Sequence, residues 1–252
     1  MTGESIGVVS PVVVSSLRVR DEIFRAYPEV RIGVVVFGGV RNAGESPALT
    51  ELLRREEAET SRRFGSTPVS EHPRIAAWRE AYRAFGAKPK DHPSSIENLA
   101  RRVLKGQTIR HVNRLVDLYN VVSLRHLLPV GGEDLDAVDG DVELRFAGES
   151  EPPVRLLGEP EARPPKKGEV VYADRLGALC RRWNWKEADR TKLTGETTRG
   201  FLVVEALPPV GRGEHEAALA DLAALVAEHC GGTTRVAVLE AGRTEIELAA
   251  GG

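Results

Sequence analysis

The run RIGVVVFGGV, Arg31 to Val40, constrains the fold of this chain more than any other segment. It is nearly continuous in β-branched residues and lacks the in–out alternation of a strand with one wet face. It therefore predicts a strand buried on both faces, ended by Gly38 and Gly39. The 252 residues are enough for a full core, as one large domain or two small ones.

The segments around this strand divide by their periodicity. Ile6 to Ser16 is β-rich and broken by Pro11, and Leu17 to Ala26 has helical spacing at Leu17, Val19, Ile23 and Phe24. Ser46 can cap a helix with Pro47 at its first position, running to about Phe64. Ile75, Trp78, Tyr82 and Phe85 give a further helix that Gly86 stops. Ser94 and Glu97 satisfy a capping box before Ile96, Leu99, Val103 and Leu104. Ile109 to Tyr119 predicts another helix, with Ile109, Val112, Leu115, Val116 and Tyr119 inward and Leu118 off the stripe.

Strands dominate the second half. Asp141 to Phe146 alternates as a half-buried strand does. Val154 to Leu157, Val170 to Ala173, Ala178 to Arg182 and Phe201 to Glu205 are further strands, and Gly158 to Gly168 is an exposed loop. Glu214 to Cys230 is an amphipathic helix ended by Gly231 and Gly232, and Val236 to Leu239 with Glu245 to Leu248 predict a closing hairpin. The pattern predicts an α+β fold, with mixed sheets flanked by helices. Three portions, 1–70, 71–210 and 211–252, are expected to form one compact unit, with Phe64 to His72 the best candidate linker.

Composition removes several function classes. A formal net charge of −2 argues against strong non-specific binding to duplex nucleic acid, although Lys88, Lys90, Arg101, Arg102 and Lys105 cluster, as do Arg181 and Arg182. Two cysteines, Cys180 and Cys230, fit buried reduced thiols rather than a disulfide scaffold or a zinc site. No apolar run reaches the roughly 18 residues that span a bilayer, and no signal peptide is read, so a cytoplasmic protein is expected. Motifs for nucleotide phosphates, zinc hydrolysis and the serine-nucleophile elbow are all missing from the sequence. No metal and no cofactor is expected.

Polar residues in apolar surroundings are the chemical signal. Asn120, beside Tyr119 in VDLYN, ends an otherwise apolar helix, as a C-cap or as a pocket residue. Asp136 lies in EDLDAVDG, as a turn residue or as one that orients water or binds an amino group. The acidic run Glu133, Asp134, Asp136, Asp139 and Asp141 lacks the spacing of an EF-hand calcium loop. RRWNWKEADRT gathers Arg181, Trp183, Asn184, Trp185, Glu187 and Asp189. By strand alternation its two tryptophans share one face, as core or as a surface on which a base or side chain stacks. Lys88, Lys90 and Ser94 of KPKDHPSSIE can hold a phosphate at a helix N-terminus, or form a solvated basic loop and a cap.

These motifs, in this order, resemble the editing (B3/B4) module of the phenylalanyl-tRNA synthetase β subunit, and more closely its free-standing single-domain relatives. VDLYN (Val116 to Asn120) is similar to the family's VDxTN segment, and GEVVYAD (Gly168 to Asp174) to the strand entering the second half of its site. Glu196, Thr197 and Phe201 to Glu205 resemble its closing strand, and KPK, SSIE, YN, GD and RRWNW match the free-standing relatives. The resemblance implies a deacylase that releases a wrong amino acid from tRNA without a metal. It implies Asn120, Asp136 and Asp189 around the water and ester, with Glu187 in reserve. Asp136 falls where the family carries a pocket histidine. Lys88, Lys90 and Arg181 would hold phosphates, with Ser94, Tyr119, Trp183 and Asn184 as further substrate contacts. The partner would be the aminoacylated 3′ end of a tRNA, or a free amino acid if the module only binds. A scaffold role for the charged helix Ser46 to Phe64 is a third reading.

Overall fold

The Arg31–Val40 run forms β2 (Arg31–Gly38), and seven of its eight residues are buried. Val34 and Val36 face one core and Val35 and Phe37 another, which is why the run shows no polar alternation. The computed structural model describes residues 15–249. In chain order they form β1 (Ser16–Val19), α1 (Asp21–Ala26), β2, α2 (Pro47–Phe64), α3 (Pro73–Ala84), α4 (Ser95–Leu104) and α5 (Arg114–His126). Then follow β3 (Val130–Asp134), β4 (Val142–Phe146), β5 (Val154–Arg155), β6 (Ala162–Arg163), β7 (Val170–Asp174), β8 (Gly177–Arg181) and β9 (Lys186–Glu187). The chain closes with β10 (Arg199–Ala206), α6 (Arg212–Cys230), β11 (Thr233–Leu239) and β12 (Glu245–Glu247).

Two sheets organise these elements, as an α+β fold requires. A four-stranded sheet runs β11-β2-β10-β3, and a six-stranded sheet runs β12-β1-β4-β7-β8-β9, with β5 and β6 a separate pair. All pairs are antiparallel except β1 with β4. The inner faces of the two sheets share one core, where Leu17, Leu144, Leu179, Val34, Phe201 and Leu239 meet. The other face of the four-stranded sheet packs under α2, α4, α5 and α6. Gly33 allows the closest approach there, because a Cβ would stand 2.4 Å from Leu219 of α6. Strands from all three sequence portions share the four-stranded sheet.

Helix starts follow their caps. Ser46 Oγ accepts from Leu49 N at 3.4 Å with Pro47 opening α2, and Ser94 Oγ accepts from Glu97 N at 3.4 Å to open α4. Four segments depart from the sequence expectation. Leu17 and Val19 lie at strand spacing in β1, so the helix begins only at Asp21. The Phe64–His72 segment is pinned rather than a linker, with Phe64 and Val69 buried in the helical core. Of the expected closing hairpin only the turn forms, with Glu240 and Arg243 bridged antiparallel; beyond it β11 pairs with β2 and β12 with β1 of the other sheet. The expected Ile109–Tyr119 helix starts at Arg114, capped by the Asn113 side chain, and runs on to His126. Val112 is exposed, and Leu118 is fully buried. The strand expected over Ile6 to Ser16 lies, up to residue 14, outside the described residues. Both cysteines are buried and free, and no described helix is long and apolar enough to cross a membrane.

Candidate functional site

The two sheets end side by side at β3, the edge of one, and β9, the edge of the other. Over this gap lie α4 and α5, and between them is a cavity of about 390 Å³. Each helix presents one stripe to it: Ser95, Asn98, Leu99 and Arg102 from α4, and Val116, Tyr119, Asn120 and Ser123 from α5. Both sets follow the i, i+3, i+4, i+7 spacing of one helical face. This explains the misread stripe of α5. Leu115, Leu118 and Val122 form its core face, while Val116 and Tyr119 are half-buried because they look into the cavity. Asn120 sits in mid-helix with its side chain in the cavity wall, so it is no C-cap.

Strand register supplies the opposite wall. Phe201, Val203 and Glu205 of β10 line the cavity, and across the ladder Phe201 and Val203 stand opposite Glu133 and Gly131 of β3. Glu187, at the end of β9, reaches the same place and accepts from Gly132 N at 3.4 Å. A Cβ on Gly131 would stand 3.0 Å from Glu187 Oε1, and one on Gly132 would stand 2.7 Å from the Phe201 carbonyl oxygen. The glycine pair makes room first for the carboxylate and then for the neighbouring strand.

Three carboxylates therefore share one cavity, with unequal support. Glu205 is fully provided for: it accepts from Tyr172 Oη at 2.6 Å, Trp183 Nε1 at 2.7 Å and Asn184 Nδ2 at 2.7 Å. Asn184 Oδ1 in turn accepts from Tyr82 Oη at 2.9 Å. Burial pushes Glu205 up to about 7 against the opposing pull of its donors. Glu187 has the single long contact to Gly132, and burial raises it as well. Glu133 is 5 % exposed, and its Oε2 has no hydrogen-bond partner among the described residues. Burial, then the neighbouring Glu187 carboxylate, drive Glu133 well above the usual carboxylate range, against the opposing pull of the buried Thr191 hydroxyl beside it. Burial, with the same two carboxylates, also raises the Tyr119 phenol.

The turn from β8 to β9 carries backbone strain. Arg182 and Trp183 have φ of 50° and 66°, the left-handed region that side chains disfavour by about 1–2 kcal/mol per residue. It is held by Glu169 Oε1, which accepts from Arg182 N at 3.0 Å, and by Val170 O, which accepts from Trp183 N at 2.7 Å. The turn breaks the alternation expected for the two tryptophans. Trp183 is buried between the sheets against Trp78 and Tyr27 and forms cavity wall. Trp185 stays half-buried, with Arg182 over its ring at 4.4 Å and His92 edge-on at 4.6 Å.

Of the residues singled out from sequence, the fold brings Asn120, Tyr119, Glu187, Trp183, Asn184, Trp185 and Arg102 to this cavity. It places the others elsewhere. Asp136 is exposed, pairs with Arg199 at 2.5 Å and borders a different cleft. Asp189 pairs with Arg155, and with Lys192 at 2.6 Å. Arg181 is buried in a two-pronged pair with Glu169, both contacts 2.9 Å, and has no free face for a phosphate. Ser94 is a buried cap, while Lys88 and Lys90 are exposed in the loop before α4. The cations that do line the cavity mouth are Arg102 and Arg110, neither with an ion-pair partner among the described residues, and Lys186, which is turned to Glu159. Glu133, Glu205 and the Gly131–Gly132 pair were not picked out from sequence. The visible signals were a double glycine inside a strand and a carboxylate closing the apolar run FLVVE. Among the described residues no group of three or more His, Cys, Asp and Glu is placed to hold a metal ion.

Comparison with known proteins adds two findings. A family model described as the B3/4 domain matches residues 77–231, more than half of the chain and the part that builds every wall of the cavity. Among solved structures, the chain is similar to an N-terminal fragment of the phenylalanyl-tRNA synthetase β-subunit from Pyrococcus horikoshii, with TM-score 0.47 and 13 % identity. That likeness covers 92 % of this chain and 53 % of the fragment, so the chain spans about half the fragment's length. No curated protein matches.

Proposed function

The chain belongs to the B3/4 domain family, and from that premise we propose that its cavity receives the aminoacylated 3′ end of a tRNA and hydrolyses the ester in trans. The observation that carries this reading is the placement of Asn120 and Glu187 in one small cavity, with Arg102 and Arg110 at its mouth and unpaired among the described residues. Its volume of about 390 Å³ suits one aminoacyl group with part of a ribose. Leu99, Val116, Phe201 and Val203 offer apolar contact to the amino-acid side chain. The two arginines offer charge to the backbone phosphates.

Ester hydrolysis needs a positioned water, a base for its proton and a donor for the developing oxyanion. Burial tunes Glu187 toward neutral pH, where a carboxylate can take the proton as water attacks the ester carbon. The Asn120 amide supplies a donor to the water or the carbonyl oxygen. The ribose oxygen then leaves and recovers the proton.

The test is release of amino acid from a panel of correctly and wrongly charged tRNAs, with Glu187→Gln and Asn120→Ala beside the wild type. Selective release, lowered about 10²-fold or more in Glu187→Gln, is expected. Tight binding of charged tRNA without release would replace this reading with an amino-acid or tRNA binding module.

A further inference from the structure

We propose that Glu133 anchors an alkylammonium group of the ligand, so that the cavity accepts an amino acid only with its amine free. This rests on the reading of the cavity as an aminoacyl site and assigns a charge requirement to it. The cavity holds the carboxylates of Glu133, Glu187 and Glu205, whereas the cations unpaired among the described residues lie at the mouth. A ligand complementary to it is cationic at its buried end and anionic outside, as an aminoacyl group on a nucleotide is.

Glu133 is singled out among the three by its partners. Glu205 has protein donors on both oxygens, and Glu187 has one. Glu133 Oε2 is buried with no partner in hydrogen-bond geometry among the described residues; its neighbour across the ladder, Phe201, presents only a ring, and the group that most eases its charge is the uncharged, buried Thr191 hydroxyl. The groups facing the pair offer no free charge to balance it. They are Tyr119 of α5, Tyr172 of β7, Cys180 of β8, Glu205 of β10, the Thr191 hydroxyl, and Asp174 and Arg190, which pair with each other at 2.8 Å. An ammonium beside Glu133 offsets the charge that Glu133 takes on, so Glu187 can still ionise and accept a proton from water.

The probes are a panel of L-amino-acid amides with small, aliphatic, aromatic and basic side chains, their N-acetyl counterparts, and Nα-acetyl-lysinamide, measured by titration calorimetry at pH 7 in two buffers. At least one amide should bind, with a buffer-dependent enthalpy that reports proton release, and acetylation should weaken it by about thirtyfold or more. Binding of Nα-acetyl-lysinamide with no binding of any free α-amine amide would place the ammonium on the side chain and overturn the requirement for a free amine at Cα. Glu133→Gln should abolish amide binding while raising the Tm of the free protein at pH 7, because folding no longer has to protonate a buried carboxylate. Acetylated and free amides binding equally, no amide binding at millimolar concentration, or a Glu133→Gln variant that loses stability would each overturn the proposal. The amides carry no ester, so their binding with no release from charged tRNA would leave this proposal standing and the hydrolase reading refuted. Equal release from acetylated and free aminoacyl-tRNA would do the reverse.

Discussion

Replacing Glu205 by glutamine should flatten the pH dependence of stability without collapsing the fold. In the folded chain burial holds the Glu205 proton up to about 7, whereas the ordinary value of the unfolded chain is 4.5. Folding therefore takes up a proton between these values. The resulting stability is fully present below about 4.5, falls as pH rises and is gone above about 7. A shift of about 2.5 units corresponds to roughly 3 kcal/mol, of which about 2.5 kcal/mol falls between pH 5 and pH 8. In Glu205→Gln the new side chain keeps an oxygen for Tyr172 and Trp183. Its amide nitrogen would face Asn184 Nδ2, but Asn184 can flip and donate to Tyr82 Oη, since a hydroxyl accepts as readily as it donates. The network is re-formed at a cost of about 1 kcal/mol. Glu205→Ala has no such remedy. It leaves three buried donors without an acceptor and should cost about 3–6 kcal/mol. The assay is urea unfolding of wild type and Glu205→Gln at pH 5 and pH 8. The difference between the two pH values should be smaller by about 2.5 kcal/mol in the variant. Equal differences in both proteins would refute the argument, because every other buried carboxylate is common to them.

Three further outcomes concern the cavity and its surroundings. Gly131→Ala places a Cβ 3.0 Å from Glu187 Oε1 and should lower deacylation about tenfold or more by displacing the base, with little change in urea midpoint. Arg102→Ala with Arg110→Ala should raise KM for charged tRNA and reduce its salt dependence, read as kcat/KM across a series of salt concentrations. Asp136→Ala and Asp189→Ala, whose carboxylates are engaged in surface ion pairs away from the cavity, should leave deacylation rates at the wild-type value.

The sequence revealed the fold through segments whose local signal agreed with their tertiary setting. The β2 run, the Ser46–Pro47 start of α2 and the Ser94 cap of α4 each satisfy a local rule and a packing demand together. It failed where long-range pairing decided the outcome. Leu17 and Val19 fit a helical stripe as well as a strand, and only the partners of β1 distinguish the two. The last strands are close in sequence yet belong to different sheets. The site shows the same division. Asn120, Tyr119, Glu187, Trp183 and Asn184 were visible as polar or aromatic residues in unusual surroundings. Glu133 was hidden in an acidic run, and nothing local marks it as the member turned into the cavity. That orientation is set by its register opposite Phe201. The stripe of α5 was read as core because a helix face lining a cavity has the same periodicity as one packed on a sheet.

The most direct test of the account is a crystal structure with an aminoacyl-adenosine analogue in which an amide replaces the ester. The aminoacyl group is expected inside the cavity, with its carbonyl carbon between Asn120 and Glu187, its ammonium at Glu133 and its ribose toward Arg102 and Arg110. The analogue bound in the cleft beside Asp136, or on the surface near Lys88 and Lys90 with the cavity unchanged, would contradict it.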